Sequence, residues 1–281
     1  MMKKIFIVGC PRSGTTLLQS FLATHSKIVS FPETHLYSKT ISINPLVRAI
    51  TLYRAKHVKI VEEILTDLGV LTIEDLKSFG YTFSTINWVR FLNSQLNSIG
   101  EYFGVTEEKY LLEKTPRHLH FIDLIQKTDC EVIFIHLIRN GEDVVASMSE
   151  ATGNNPEEWS GNRSIDRSIF WWNRSIRISE KYIGQKNNYH IRYENLVKEP
   201  EKVLEYLFDK LGLPFEEQIL SSYHKTANSL IGEQEVWKNK NTKKRLNTSD
   251  KFDQLPVETQ DHIRKKLKDF DYQRVEISTI D

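Results

Sequence analysis

A chain of 281 residues has room for one α/β domain or two smaller ones, and 40% hydrophobic with 27% charged residues describes a globular protein with a sizeable core. Its 38 Lys and Arg against 37 Asp and Glu leave a formal net charge of +1, which removes any global electrostatic argument for a nucleic-acid or membrane partner. The two cysteines, Cys10 and Cys130, rule out a disulfide framework and offer no metal-ligand spacing; both sit in apolar, strand-like surroundings and read as buried thiols.

In chain order, the first apolar run is KIFIVG from Lys4, too short for a signal-peptide core. No segment approaches the roughly 18 apolar residues of a bilayer span, so a cytoplasmic chain is expected. The run leads into CPRSGTTLLQSF, where Leu17, Leu18, Phe21 and Leu22 recur at helical spacing. A strand, a glycine-bounded turn and a helix make a phosphate-binding layout. Gly9 and Gly14 have the spacing of a nucleotide-triphosphate loop and Thr16 supplies the hydroxyl, but Thr15 stands where that loop needs lysine. With Arg12 inside the turn, backbone amides and the helix end would hold an anion without a lysine.

KIVSF from Lys27 is the second strand, ending in Phe31, Pro32 and Glu33. Glu33, beside the anion loop, is a candidate general base, with His35 as runner-up because an imidazole titrates nearer neutrality; on a strand-like extension the two would point the same way. Residues from about 40 to 108 are helical in pattern (VEEILTDLGV, TIEDLKSF, WVRFLNSQLNSI) and read as an insertion within a single domain spanning 1–281. The third strand, YLLEK from Tyr110, ends in Lys114, able to neutralise charge on a transferring group. Thr115 and Pro116 then suit a helix cap and first helical position. His118 and His120 read as helix-surface residues.

EVIFIHLI from Glu131 is the fourth strand and runs into Arg139, with Ser147 two turns into the next helix. A triphosphatase wants a magnesium-holding aspartate at such a strand end. An arginine there offers a fixed fork to a second phosphate instead. Residues 149–182 read as weakly helical and loop, followed by YHIRY from Tyr189 and a helix from Pro200 to Leu211 ended by Gly212. Strand-helix alternation argues a doubly wound, P-loop-like α/β fold: a parallel sheet of about five strands flanked by helices, whose ligands lie outside the carboxyl ends of the strands.

PRSGTT, the glutamate of PETH, EKTPRH, IRNGEDVVASM and RYENL together resemble the sulfotransferases that use 3′-phosphoadenosine 5′-phosphosulfate (PAPS), over about residues 5–196. The resemblance implies that Arg12, Ser13, Gly14, Thr15 and Thr16 bind the 5′-phosphosulfate, without metal, and that Arg139 and Ser147 contact the 3′-phosphate. It also puts Tyr193 near the nucleotide, Lys114 near the sulfuryl group and the catalytic base at Glu33. Trp237 and Lys238 echo a late Trp-Lys pair that reaches the 3′-phosphate, although KNKNTKKR there equally suits a solvated charge run. The family's cytosolic steroid and phenol enzymes carry a lysine-type loop and a histidine base, from which Arg12 and Glu33 depart.

The reading is sulfuryl transfer to a hydroxyl or amine of a small-molecule acceptor, such as a secondary metabolite. Tyr81, Trp88, Phe91, Trp171 and Trp172 either wall the acceptor pocket or pack the core, core packing being expected of most. The rivals are a small-molecule kinase with a variant phosphate loop and a non-catalytic nucleotide-binding module.

Overall fold

Near-continuous apolar runs such as KIFIVG and EVIFIHLI suit strands covered on both faces, and five strands form one parallel sheet. They are β1 Lys3–Gly9, β2 Ile28–Ser30, β3 Tyr110–Lys114, β4 Val132–Ile138 and β5 Asn188–Arg192, ordered β2-β3-β1-β4-β5. The computed structural model describes residues 2–70, 84–129, 131–154, 164–230 and 251–275. The sheet is parallel throughout, with Phe6 level with Glu113 and Phe134, and Ile7 level with Lys114 and Ile135. The expected doubly wound, P-loop-like class is therefore the observed one.

The helices of the first half are α1 Thr15–Leu22, α2 Leu36–Thr40, α3 Pro45–Ile50, α4 Ala55–Asp67 and α5 Thr85–Tyr102. A 3₁₀ turn, Pro116–Phe121, leads into α6 Ile122–Thr128. Then follow α7 Gly141–Asn154, α8 Ile165–Glu180, α9 Tyr193–Lys198, α10 Pro200–Leu211, α11 Gln218–Ser229 and α12 Val257–Lys266. On one face of the sheet Phe6, Val8, Leu111 and Phe134 pack against α4, α5 and α6. On the other, Ile5, Ile7, Leu112 and Ile135 pack against α1, α10 and α11. A third cluster, with Cys10, Val144, Trp172 and Ile263, seals α7, α8 and α12 together. Cys10 is buried as expected; Cys130 lies outside the described residues. No helix among the described residues is long and apolar enough to cross a membrane.

Three local expectations are corrected. The described residues within 149–182 are mostly helix: α7 extends to Asn154, and α8 is 16 residues long with Ser164 accepting at its N-cap from Arg167 N. The buried face of α8 is Ser168, Ile169, Trp172, Ser175, Ile176 and Ser179; three serines on that face dilute the apolar periodicity in the sequence. Pro116 opens a 3₁₀ turn rather than an α-helix, and the Thr115 hydroxyl donates to Glu113 rather than serving as a cap. His118 is fully buried, not a surface residue.

β4 and β5 bring His136 opposite His190, with rings stacked 4.3 Å apart. Burial depresses both: His136 well below its ordinary value, with His190 adding to the effect, and His190 to about 4 although it donates to Ser179 O. Unfolded histidine, near 6.5, binds a proton that the folded ring refuses, so between the two values stability rises with pH. The melting temperature should therefore fall as pH is lowered from about 6.5 toward 4, followed by circular dichroism. His190→Gln should flatten that slope; an unchanged slope would assign it to other groups.

Candidate active site

The turn between β1 and α1 is held open by backbone conformation. Arg12 and Gly14 are both left-handed, with φ of 75° and 91°. Ser13 N closes back onto Cys10 O at 3.2 Å, and the first helical bond is given by Leu17 N to Gly14 O at 2.9 Å. The amides just before Leu17 are those that a helix start leaves without intrahelical acceptors, and they sit where the helix dipole is positive. Gly14 is required twice over, since its φ is left-handed and a Cβ there would meet the Tyr193 ring at 2.4 Å.

That close approach stacks the next layer. Arg139, at the end of β4, lies with its guanidinium carbon 4.5 Å from the centre of the Tyr193 ring. Its Nη1 donates to Arg12 O at 3.4 Å, and Trp172 Nε1 donates to Arg139 O at 3.1 Å. Arg139 is 7% exposed, yet its Nε and Nη2 are buried without hydrogen-bond acceptors. Asp143 Oδ2, 3.4 Å from Nη2, gives partial charge compensation only. Arg12 Nε donates to Ser147 Oγ at 3.2 Å, which joins the loop to α7. Burial, and then the Arg139 charge, lowers the Arg12 guanidinium from its ordinary value. A buried guanidinium with two donor nitrogens that no hydrogen bond fills, beside the second guanidinium of Arg12 and the loop amides, fits anionic groups, so the residues present suit a nucleotide carrying phosphates at both ends.

On the β2–β3 side, the Lys114 ammonium is 2% exposed and contacts Glu33 Oε1 directly while donating to Thr16 Oγ1 at 3.3 Å. His35 Nε2 stands 3.5 Å from the other Glu33 oxygen. Burial pushes the His35 imidazole down, against the opposing pull of Glu33. Glu33 and His35 do meet, but not through a strand-like extension: β2 stops at Ser30, and His35 turns left-handed with φ of 54° at the start of α2. Gln19 Nε2 anchors the strand end by donating to Phe31 O and Ser30 Oγ, each at 2.9 Å.

A second charge, absent from the sequence-based reading, lies behind this group. Glu113 is fully buried and accepts from Thr34 Oγ1 at 2.9 Å, Thr115 Oγ1 at 2.7 Å and His118 Nδ1 at 2.9 Å. Burial alone would raise its carboxyl, but His118 and the two hydroxyls outweigh it and hold it below its ordinary value. Thr115 Oγ1 also accepts from His35 N, and Thr34 Oγ1 from Leu36 N. Glu113 thus fixes the backbone that follows Glu33, from Thr34 to Leu36. The available signal was the polar pair closing an otherwise apolar strand, YLLEK.

Arg12, Ser13, Gly14, Thr15, Thr16, Arg139, Ser147 and Tyr193 therefore gather around one loop, with Lys114, Glu33 and His35 on its β2–β3 side. Trp237, Lys238 and Tyr81 lie outside the described residues. Trp88 is core, stacked on Tyr53 at 5.1 Å, and Phe91 packs against it at 5.0 Å. Among the described residues no three His, Cys, Asp or Glu side chains converge as a metal site.

Gly14→Ala should destabilise the protein by at least about 1–2 kcal/mol from left-handed backbone strain alone, and the Tyr193 clash adds to it. Denaturant titration of the variant checks this. A loss within error of zero would mean that the loop relaxes out of the left-handed region.

The sulfotransferase family profile matches residues 4–217. A protein of uncharacterised function from Aquifex aeolicus is 25% identical over 230 residues, 80% of this chain, which spans only 27% of that relative's length. Among solved structures, a sulfotransferase domain from the curacin biosynthetic pathway aligns with 94% of this chain and 97% of its own, at 23% identity and a TM-score of 0.57. One from the Synechococcus PCC 7002 olefin synthase gives 23% identity and 0.56, over 94% of each chain. A mouse sulfotransferase complexed with PAP gives 14% and 0.54, over 94% of this chain and 82% of its own. These likenesses extend the shared fold over nearly the whole chain, and with the profile match they place it: the chain belongs to the sulfotransferase family.

Proposed function

We propose that this protein transfers a sulfuryl group from PAPS to a hydroxyl or amine of a small-molecule acceptor. The observation that carries the reading is Arg139, buried with two unfilled donor positions and stacked on Tyr193 beside a lysine-free anion loop. The cofactor, when bound, supplies the activated sulfuryl group at its 5′ end. The amides of the loop, with Arg12, Thr15 and Thr16, would hold that end, and Arg139 with Ser147 would hold the 3′-phosphate. PAP in the mouse relative is in keeping with this nucleotide. A solved relative in the curacin pathway favours a secondary metabolite as acceptor.

Glu33 would accept the acceptor's proton on a carboxylate oxygen, a step typically worth about 10²–10⁴ in rate. Lys114 bridges the base and the loop, so the same ammonium that orients Glu33 stabilises charge building on the transferring oxygens. His35, held 3.5 Å from Glu33, would orient the acceptor. A kinase reading is disfavoured because β4 delivers Arg139 where that chemistry needs a magnesium-holding carboxylate. Incubation with labelled PAPS, and separately with ATP and magnesium, tests the choice directly: sulfated product supports the proposal, and phosphorylated product overturns it.

Arg139→Ala should weaken PAP binding by about 2–5 kcal/mol, as for loss of a desolvated charge partner. Adenosine 5′-phosphate, which lacks the 3′ group, should lose far less. Calorimetric titration of both nucleotides checks this, and equal losses would remove Arg139 from the 3′-phosphate.

Glu33→Gln should lower kcat by about 10² or more without weakening PAP binding, because the interaction is made chiefly in the transition state. His35→Ala should act mainly on acceptor KM. Steady-state kinetics of the two variants decide the assignment: if His35→Ala abolishes turnover while Glu33→Gln stays active, the roles exchange.

A further inference from the structure

A second group of positive side chains lies on the 3₁₀ turn that follows Lys114 and on the facing stretch of α8. Arg117 follows Lys114 by one short turn, and its guanidinium carbon lies 5.5 Å from the centre of the Trp171 ring. His120 packs edge-on against the same ring at 5.9 Å. Arg174, one helical turn beyond Trp171 on α8, is close enough that its charge and that of Arg117, added to burial, push the His120 imidazole down to about 3.

Neither arginine has an ion-pair partner among the described residues. The acids of α8 are engaged elsewhere, Asp166 with His262 and Lys266, and Glu180 with Lys268. Asp123, one turn beyond His120, accepts the Tyr182 hydroxyl. His120 Nδ1 and Arg174 Nε are buried with no hydrogen-bond partner. Two guanidiniums crowded around a neutral imidazole, with buried polar atoms left unfilled, make an arrangement that an incoming oxyanion completes.

Its position says whose oxyanion. The anion loop, Arg139 and Tyr193 belong to β1, β4 and β5, whereas Glu33 and Lys114 end β2 and β3, and Arg117 continues from β3. Trp172, beside Trp171, donates to Arg139 O, so α8 spans from the nucleotide arginine to this cluster. Phe170, 54% exposed, lies 5.5 Å from the Trp171 ring and offers an apolar face beside the charges.

We infer that Arg117, Arg174 and His120 form a subsite for a carboxylate or phosphate carried by the acceptor, so that the substrate is an anionic, partly apolar molecule. The inference rests on the sulfotransferase reading for the word acceptor, while the oxyanion site stands on its own residues.

The test uses Trp fluorescence of the full chain saturated with PAP, which fills the nucleotide sites, titrated with phenyl phosphate, benzoate and benzyl alcohol. Saturable binding of phenyl phosphate or benzoate, and none of benzyl alcohol, is expected; the tighter of the two identifies the oxyanion. Arg117→Gln/Arg174→Gln should weaken that binding by about tenfold or more, the cost of losing charge-assisted hydrogen bonds. Arg117→Lys/Arg174→Lys, a gentler change should the first variant fold poorly, should retain part of it. No saturable binding of either anion, or binding unaltered in both variants, overturns the inference. PAP affinity, titrated separately, reports on the sulfotransferase reading: its absence with anion binding intact would sink that reading and leave the oxyanion site.

Discussion

A buried ammonium has to be neutralised where it sits, and at Lys114 that requirement ties three separate pieces of chain together. Leaving such a charge unpaired costs several kcal/mol, on the order of 3–5 when one partner is removed. Glu33 from the end of β2 supplies the opposite charge, and Thr16 from the start of α1 supplies an acceptor oxygen. Glu33, the β1–α1 loop and the third strand thus cannot be positioned independently. The order β2-β3-β1 makes the arrangement possible, since it sets β3 directly between the strands that precede Glu33 and the loop.

The neighbouring residue performs the complementary task on the opposite face. Successive side chains of a strand alternate faces, so Glu113 and Lys114 are buried in different layers. Glu113 lies level with Phe6, over the layer where His118 meets the Tyr37 ring edge-on at 4.9 Å. Lys114 is level with Ile7, on the α1 side. Both nevertheless reach the same turn: Lys114 takes the side chain of Glu33, and Glu113 takes the hydroxyl of Thr34. The left-handed backbone at His35 is held by this double grip, consistent with strain persisting only where the surroundings over-determine it.

Much of the sheet was legible because parallel strands buried on both faces are near-continuous apolar runs, as at β1 and β4; β5, NYHIR, is not such a run. The placement of the β1–α1 loop and of Arg139 was legible for a related reason, since both directly follow strands whose ends the sequence marks. Less visible was whatever depends on a polar residue being buried. Nothing in EKTPRH says that Glu113 and His118 turn inward as a pair, and in isolation His118 reads as a surface residue. Helix α8 was obscured in the same way, by serines lining a buried face. Glu33 and His35 were paired correctly, but the expected cause, a shared side of an extended strand, is replaced by a turn that only tertiary hydrogen bonds define.

The alternation at the end of β3 also bears on how the chain finds its register. Leu111 and Leu112 are apolar toward opposite faces and would tolerate sliding by one residue, since a slip merely exchanges one buried hydrocarbon for another. The same slip would carry the Lys114 ammonium to the His118 side and the Glu113 carboxylate to the loop, leaving two buried charges facing the wrong partners. Strand pairing that hydrophobicity leaves degenerate is thereby made unique by two adjacent ionisable groups. The residues that prepare this end of the sheet for chemistry serve equally as its alignment mark during folding.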